Sequence, residues 1–242
     1  MGAHERAVAL VFTGGDPPDP RDVDDFAAPL AEALVIAADS GLHHAQQLGH
    51  HVDVVVGDLD SVDVDALARA ERAGAVVERH AAAKDETDLE LALVAARERG
   101  ADRIVVLGVA GGRLDHFLAN ALVLTSDAFA TVRVEARFAG ARVHVVRDEL
   151  VVQGTPGDIL TLLPVGGPAH GVATEGLRFP LRNETLHPGS TRGVSNELVT
   201  STARVTVTGG VLLAVLPGTR TPDPIEPVLE PDTRPEKREA RS

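Results

Sequence analysis

The sequence predicts an α/β domain on a mostly parallel sheet over residues 1–137, followed by an all-β sandwich domain over residues 138–220. Three observations carry that expectation. In the first half, short apolar runs alternate with stretches of helical spacing, which implies right-handed crossovers between parallel strands. Those runs are continuously apolar, as strands covered on both faces must be. From about Thr131 the pattern changes to one-on, one-off alternation, as in Val132, Val134 and Ala136, with Gly and Pro clusters between segments.

The predicted parallel strands are Ala7–Phe12, Leu34–Ala38, Val52–Val56, Ala75–Val77 and Arg103–Val109. Between them, Asp22–Ala33, Leu42–Leu48, Asp63–Ala73, Thr87–Arg99 and Leu114–Leu124 carry helix formers at helical spacing. Leu89 and Leu93 stack at i and i+4, Thr87 or Asp85 offers a capping oxygen, and Asp63 reads as the capping or first-turn acid of its own helix. This alternation is Rossmann-like. In the second half, Val143, Val145, Val205 and Val207 continue the period of two, and GTPGD, PVGGP and TGG read as breaks between antiparallel strands. The boundary is expected between Arg137 and Arg142. Residues 221–242, rich in Pro and charge without periodicity, read as a disordered tail.

Composition narrows the function. At 242 residues and 44% hydrophobic, the chain can bury a sizeable core. It has no Cys, which excludes disulfides and thiolate metal sites and is compatible with a reducing cytoplasm. A net charge of −13 argues against a nucleic-acid partner. The N-terminus MGAHERAVALVFTGG lacks a signal-peptide core, and no run is long enough to span a bilayer, so a soluble, cytoplasmic protein is expected. With no Trp or Tyr and only 6 Phe, a flat ligand finds few aromatic faces.

In an open parallel sheet, ligands bind beyond the carboxyl ends of the strands. Five successive strand ends are acidic, glycine-rich or both: Gly14-Gly15-Asp16, Asp39-Ser40-Gly41, Gly57-Asp58-Leu59-Asp60, Lys84-Asp85-Glu86-Thr87-Asp88 and Ala110-Gly111-Gly112-Arg113-Leu114-Asp115. Asp at a helix start is ordinary at any one site; five together at one edge repel each other unless a cation neutralises them. Magnesium takes one or two carboxylates and leaves its other positions to water and phosphate, which makes Asp58 and Asp60 its expected ligands. Gly111 and Gly112 let backbone N–H groups approach a phosphate at a helix start, and Lys84 and Arg113 are cations where phosphate charge would gather. Asp39 belongs to the same edge, on the nucleotide side.

Other chemistries find less support. GDLDSVD is not an EF-hand loop, because Val62 and Asp63 stand where a ligand and the turn glycine belong. There is no P-loop, no G-x-G-x-x-G and no G-x-S-x-G. His43, His44, His50 and His51 have no third ligand type nearby and read as a solvated helix end rather than a zinc site.

GDLDSV, KDETDLELAL, GVAGGRLDHFLAN and TEGLRFPLRNETLHPGSTRGVSNEL, in that order, resemble the motif series of the thiamine pyrophosphokinase (thiamine diphosphokinase) family. The resemblance covers about Ala38 to Leu216. It implies a transferase that moves the diphosphate of ATP to thiamine and releases AMP, and a homodimer with the active site between subunits. It further implies that Asp58, Asp60, Asp88 and Asp115 hold magnesium and the triphosphate. Lys84, Thr87 and Arg113 would contact phosphates, Asn120 would line the nucleotide side, and Ser195 and Asn196 would meet thiamine. One departure stands out: the family's thiamine ring commonly stacks on an aromatic, often Trp, after the Ser-Asn motif, and here Thr200 to Thr206 offers none, with Phe179 the only aromatic close to that motif. The alternatives are diphosphate transfer to another heterocyclic alcohol and a non-catalytic protein that binds thiamine or nucleotide.

Overall fold

The computed structural model describes residues 7–19, 22–23, 33–81, 83, 85–108, 114–138 and 140–218. Six strands pair in parallel, in the order β4 (Val76–Arg79), β3 (Val54–Gly57), β2 (Leu34–Ala38), β1 (Val8–Phe12), β5 (Arg103–Leu107) and β6 (Arg133–Phe138). The chain builds outward from β1 to β4 on one side and resumes with β5 on the other. The order therefore reverses at the β1/β5 boundary, and the carboxyl ends of neighbouring strands open a crevice there.

The inner strands β1, β2, β3 and β5 bury both faces, which explains their apolar sequences, whereas the edge strand β4 is partly exposed. Ala9, Val11, Ile36, Ala38, Val54, Val56, Ile104 and Val106 point to one side and pack on Leu89, Ala92, Leu93 and Ala96 of α3 (Asp88–Glu98). The intervening Leu10, Phe12, Val35, Ala37, Val55, Val105 and Leu107 point to the other. There they pack on Leu42 and Ala45 of α1 (Gly41–Gln47) and on Ala66, Leu67 and Ala70 of α2 (Val64–Arg72). Two helices start where their sequences direct: Asp63 caps the N-terminus of α2 by accepting from the Ala66 N–H at 2.8 Å, and Thr87 that of α3 by accepting from the Glu90 N–H at 3.2 Å. A fourth helix, α4 (Leu114–Val123), buries no residue fully. Of the expected helix over Asp22–Ala33, only residues 22–23 and 33 are described.

The sheet does not stop at the expected boundary. β6 turns into β7 (Ala141–Val146) as an antiparallel pair, and the sheet runs on through β13 (Gly209–Leu216), β9 (Ile159–Glu175), β12 (Thr202–Thr206) and β8 (Glu149–Gln153). Two short strands, β10 (Glu184–Leu186) and β11 (Asn196–Glu197), pair with β9 beside that path. The whole is a mixed sheet with helices on its first half and a β-rich second half, whose own core includes Val152, Leu160, Leu162, Val172, Leu198, Val205 and Leu212. PVGGP, expected as a break, lies inside the 17-residue β9. Gly166, at φ +73°, permits a bend without ending the strand; β9 pairs with β13 from Thr161 to Val165 and again at His170 after a register shift, and with β12 over Ala173–Glu175.

Candidate active site

At the carboxyl edge the chain leaves β2 and β3 through backbone conformations that L-residues seldom adopt. Asp39 sits at φ 48° and Leu59 at φ 63°. Residues in this left-handed region cost free energy and persist where the surroundings fix them, and such positions cluster at functional sites. Leu59 is fixed by its side chain, which is buried with Val62 under the sheet, so Asp58 and Asp60 flank an anchored turn. Gly57, at φ +147°, leaves room for Asp39 and Asp88. A Cβ there would come within 3.2 Å of Asp88 Oδ1 and 3.3 Å of Asp39 Cβ.

The result is a carboxylate triad. Single oxygens of Asp39, Asp58 and Asp60 lie within 4.8 Å of one another. Asp39 Oδ1 is buried and accepts no hydrogen bond. Burial raises the Asp39 pKa, and the neighbouring charges of Asp88, Asp58 and Asp60 raise it further, against a backbone hydrogen bond from Ser40. An orphaned buried oxygen among like charges is the electrostatic complement of a cation, and an all-carboxylate donor set suits a hard divalent ion.

The triad lies in a crevice of about 880 Å³. Its wall is formed by Thr13 to Asp16 after β1, by Ser40 and Ser61, by Thr87 and Asp88 at the start of α3, and by Asp115, His116 and Asn120 of α4. Thr13 closes the strand-order reversal: its hydroxyl bonds the carbonyls of Leu107 at 3.1 Å and Gly108 at 2.6 Å. The start of α3, with its N–H groups and positive dipole end, faces the same space.

Seven of the residues singled out from sequence therefore share one crevice: Asp39, Asp58, Asp60, Thr87, Asp88, Asp115 and Asn120. Lys84, Gly111, Gly112 and Arg113 lie outside the described residues. The triad differs from the set expected as metal ligands, since Asp39 joins Asp58 and Asp60 while Asp88 and Asp115 stand around them. The signal for Asp39 was its place at the end of β2, the strand paired directly with β3. Ser195 and Asn196 do not line the crevice of their own chain. Ser195 adopts φ 55°, and its N–H donates to Thr161 Oγ1 at 2.9 Å. The Asn196 amide is committed to the backbone of Phe179.

Three of the four histidines around Leu48 are accounted for by hydrogen bonding or packing. His44 Nδ1–H donates to the Thr13 carbonyl at 2.9 Å, His43 Nε2 accepts from the Asp63 N–H at 3.2 Å, and burial beside Phe12 lowers the His50 pKa. Among the described residues the Asp triad is the one grouping able to hold a metal ion.

Fold and crevice together define an α/β protein with an acidic crevice at the carboxyl edge of its parallel strands, joined to a β-rich unit. Comparison with known proteins narrows that class. A model of the thiamin pyrophosphokinase catalytic domain matches residues 30–135, and a model of the thiamin pyrophosphokinase vitamin B1 binding domain matches residues 143–212. The chain belongs to the thiamine pyrophosphokinase family. Among its relatives, the thiamine pyrophosphokinase of Bacillus subtilis is 29% identical over 167 residues, which are 66% of this chain and 75% of that one. Thiamine pyrophosphokinase 1 of Oryza sativa is 27% identical over 64% of this chain and 62% of its own, so the match spans less than two thirds of the plant protein. The crystal structure of the Bacillus subtilis enzyme superimposes with a TM-score of 0.76 at 26% identity, covering 89% of this chain and 100% of that one. Thiamin pyrophosphokinase from Candida albicans has the same fold, with a TM-score of 0.70 at 15% identity over 88% of this chain and 89% of its own.

Proposed function

We infer that the protein is an ATP:thiamine diphosphotransferase, forming thiamine diphosphate and AMP. The observation that carries this is the triad of Asp39, Asp58 and Asp60 at the carboxyl edge of the sheet, in a chain of this family. In the reaction, the hydroxyethyl oxygen of thiamine forms a bond to the β-phosphorus of ATP. The bond from that phosphorus to the α,β-bridging oxygen breaks, AMP leaves with the bond's electrons, and the alcohol proton passes to solvent or a crevice carboxylate. Such transfers have loose transition states, so the protein's task is to align the groups, neutralise charge and exclude water.

Asp39, Asp58 and Asp60 would hold a magnesium ion, and Asp88 and Asp115 line the same crevice. Such an ion would supply charge neutralisation to a bound triphosphate. The chain's own donors take the remaining phosphate charge. The Thr87 hydroxyl and the N-terminal amides of α3 face the crevice, and Lys84, Arg113, Gly111 and Gly112 are assigned phosphate contacts on the strength of the motif resemblance. Asn120 lines the nucleotide side.

The acceptor side belongs to the β-rich half, residues 138–220, as a thiamine-binding sandwich domain complementary to a Rossmann-like catalytic domain over residues 1–137. Two observations support a homodimer with the active site between subunits. Ser195 lies outside the crevice of its own chain, and Leu114, Leu118 and Leu122 form an exposed i, i+4, i+8 stripe on α4 beside that crevice. Use of ATP supports a cytoplasmic location, and no described helix is long and apolar enough to cross a membrane.

Incubation of the pure protein with ATP, magnesium and thiamine tests the assignment. Thiamine diphosphate and AMP should appear in equal amounts; ADP instead of AMP, or no product, overturns it.

A further inference from the structure

The run HHAQQLGHH, which builds no zinc site, opens with two adjacent histidines that have a different use. His43 and His44 lie in α1, which starts at Gly41, just after Asp39, and so hangs from the same strand end as that carboxylate. The helix is firmly seated. Leu42 and Ala45 are fully buried, and a Cβ on Gly41 would collide with the Phe12 carbonyl oxygen, so its first turn lies directly against the end of β1.

Successive side chains on a helix point about 100° apart, so these neighbours reach different walls of the crevice. His43 Nε2 accepts from the Asp63 N–H at 3.2 Å, and His44 Nδ1–H donates to the Thr13 carbonyl at 2.9 Å. An amide N–H only donates and a carbonyl only accepts, so His43 presents Nε2 as a lone pair while His44 carries its proton on Nδ1. One ring is tied to the turn that leaves β3, the other to the segment that leaves β1.

The turn after β3 needs such a tie. It carries Asp58 and Asp60, two of the three triad carboxylates, and without a cation their charges repel each other and Asp39. Inside the turn, the Asp60 N–H reaches Asp58 Oδ1 at 3.3 Å and the Ser61 hydroxyl donates to Asp60 Oδ1 at 2.9 Å. Leu59 and Val62 anchor it by burial. At its far end Asp63 is gripped twice, since its Oδ1 caps α2 and its own N–H goes to His43. Among the described residues, the bond from His43 is the one hydrogen bond that ties residues 58–63 to an element other than α2.

We propose that His43 and His44 are positioning residues of the active site. His43 holds the turn with Asp58 and Asp60 where they meet Asp39, and His44 holds the Thr13–Asp16 wall beside the nucleotide. The inference rests on the diphosphotransferase reading above, with magnesium at the triad. Groups one layer behind metal ligands raise affinity by fixing those ligands before the ion arrives, so the ordering cost is met in advance. A single helix thereby sets both walls from the seat it shares with the third carboxylate.

Calorimetry on the pure protein tests this, with manganese as the probe ion titrated first and ATP titrated next in saturating manganese. The wild type should bind both. Binding without turnover of thiamine overturns the diphosphotransferase reading alone, whereas a wild type that binds no manganese overturns this proposal as well. His43→Ala is expected to weaken manganese about tenfold and to raise the magnesium needed for half-maximal turnover by a similar factor. His43→Gln, whose amide oxygen can accept the Asp63 N–H, should recover most of that loss. His44→Ala should keep the manganese affinity and weaken ATP about fivefold, and His44→Asn, with an amide N–H in place of Nδ1–H, should restore it. The metal-free His43→Ala protein should melt near wild type, because Gln46 Nε2 still joins α1 to the Ala66 carbonyl at 3.1 Å and Asp63 still caps α2. Wild-type manganese affinity in His43→Ala, or a His43→Gln as weak as His43→Ala, overturns the role of His43. Wild-type ATP affinity in His44→Ala overturns that of His44. A fall in melting temperature with an equal loss of both ligands in each variant marks merely structural residues and overturns both.

Discussion

Asp39 and Glu135 each hide carboxylate oxygens from water in the same sheet, and their pKa values move in opposite directions. Glu135, on β6, is buried, which by itself would raise its pKa. A hydrogen bond from His144 and the charges of His144, Arg103 and Arg137 overcome the burial and hold it at about 2. Its oxygens meet Arg103 at 2.8 Å and His144 Nδ1 at 3.1 Å, so one side chain links β5, β6 and β7 where parallel pairing gives way to antiparallel. Asp39 is raised instead, by burial and by the carboxylates of Asp88, Asp58 and Asp60, and one of its oxygens accepts no hydrogen bond. The difference separates two uses of buried charge. At the sheet junction the protein compensates the charge itself and gains a tie between two halves; at the crevice one buried oxygen of Asp39 is left without a hydrogen bond among like charges.

That contrast can be broken at either end. The largest expected effect is on turnover: Asp58→Asn or Asp60→Asn should each lower kcat about a hundredfold or more without lowering the melting temperature. Wild-type activity in both would remove the triad from the chemistry. Next, Glu135→Gln should cost about 3 kcal/mol of stability in a denaturant titration, because Arg137 is left buried with less counter-charge, while activity of the folded fraction persists.

The pH dependence follows with opposite signs. Glu135 has a folded pKa of about 2, below its ordinary 4.5, so it adds stability above pH 4.5 that is lost as pH falls toward 2. Asp39 is raised, so it makes the metal-free protein less stable as pH climbs through and above the ordinary carboxylate range, and magnesium should reverse that loss. Thermal melts against pH, with and without magnesium, check both signs. Asp39→Asn should sharpen the point by stabilising the metal-free protein by about 1 kcal/mol while abolishing the magnesium-dependent rise. The smallest effect is at Asp63: Asp63→Ala removes the α2 cap and should cost about 1 kcal/mol with little change in kcat. A large loss of turnover there would join Asp63 to the site rather than to the helix.

Much of the crevice was legible because parallel strands are local in sequence. Continuous apolar runs set where β1 to β5 lie, and the residues just beyond each run fall at the same edge, which brought Asp39, Asp58, Asp60, Thr87 and Asp88 together on paper. Asp63 was legible for the same reason, since a cap concerns only the next three residues. The PVGGP segment misled because glycine marks both a turn and a bend within a strand, and the partner strands decide which. Asn196 shows another limit: the motif around it was readable, but the backbone its amide bonds, that of Phe179, stands 17 residues earlier.

The amino-acid sequence by itself determined the strand-and-helix alternation, the family and the acidic edge, because these rest on periodicity and on short spacings. Tertiary structure alone decided which carboxylates converge, that Glu135 draws its partners from β5 and β7, and that the Asn196 amide bonds the Phe179 backbone. Those relations depend on strand order and on the desolvation each group meets in the folded sheet, and neither quantity is written in the spacing of residues along the chain.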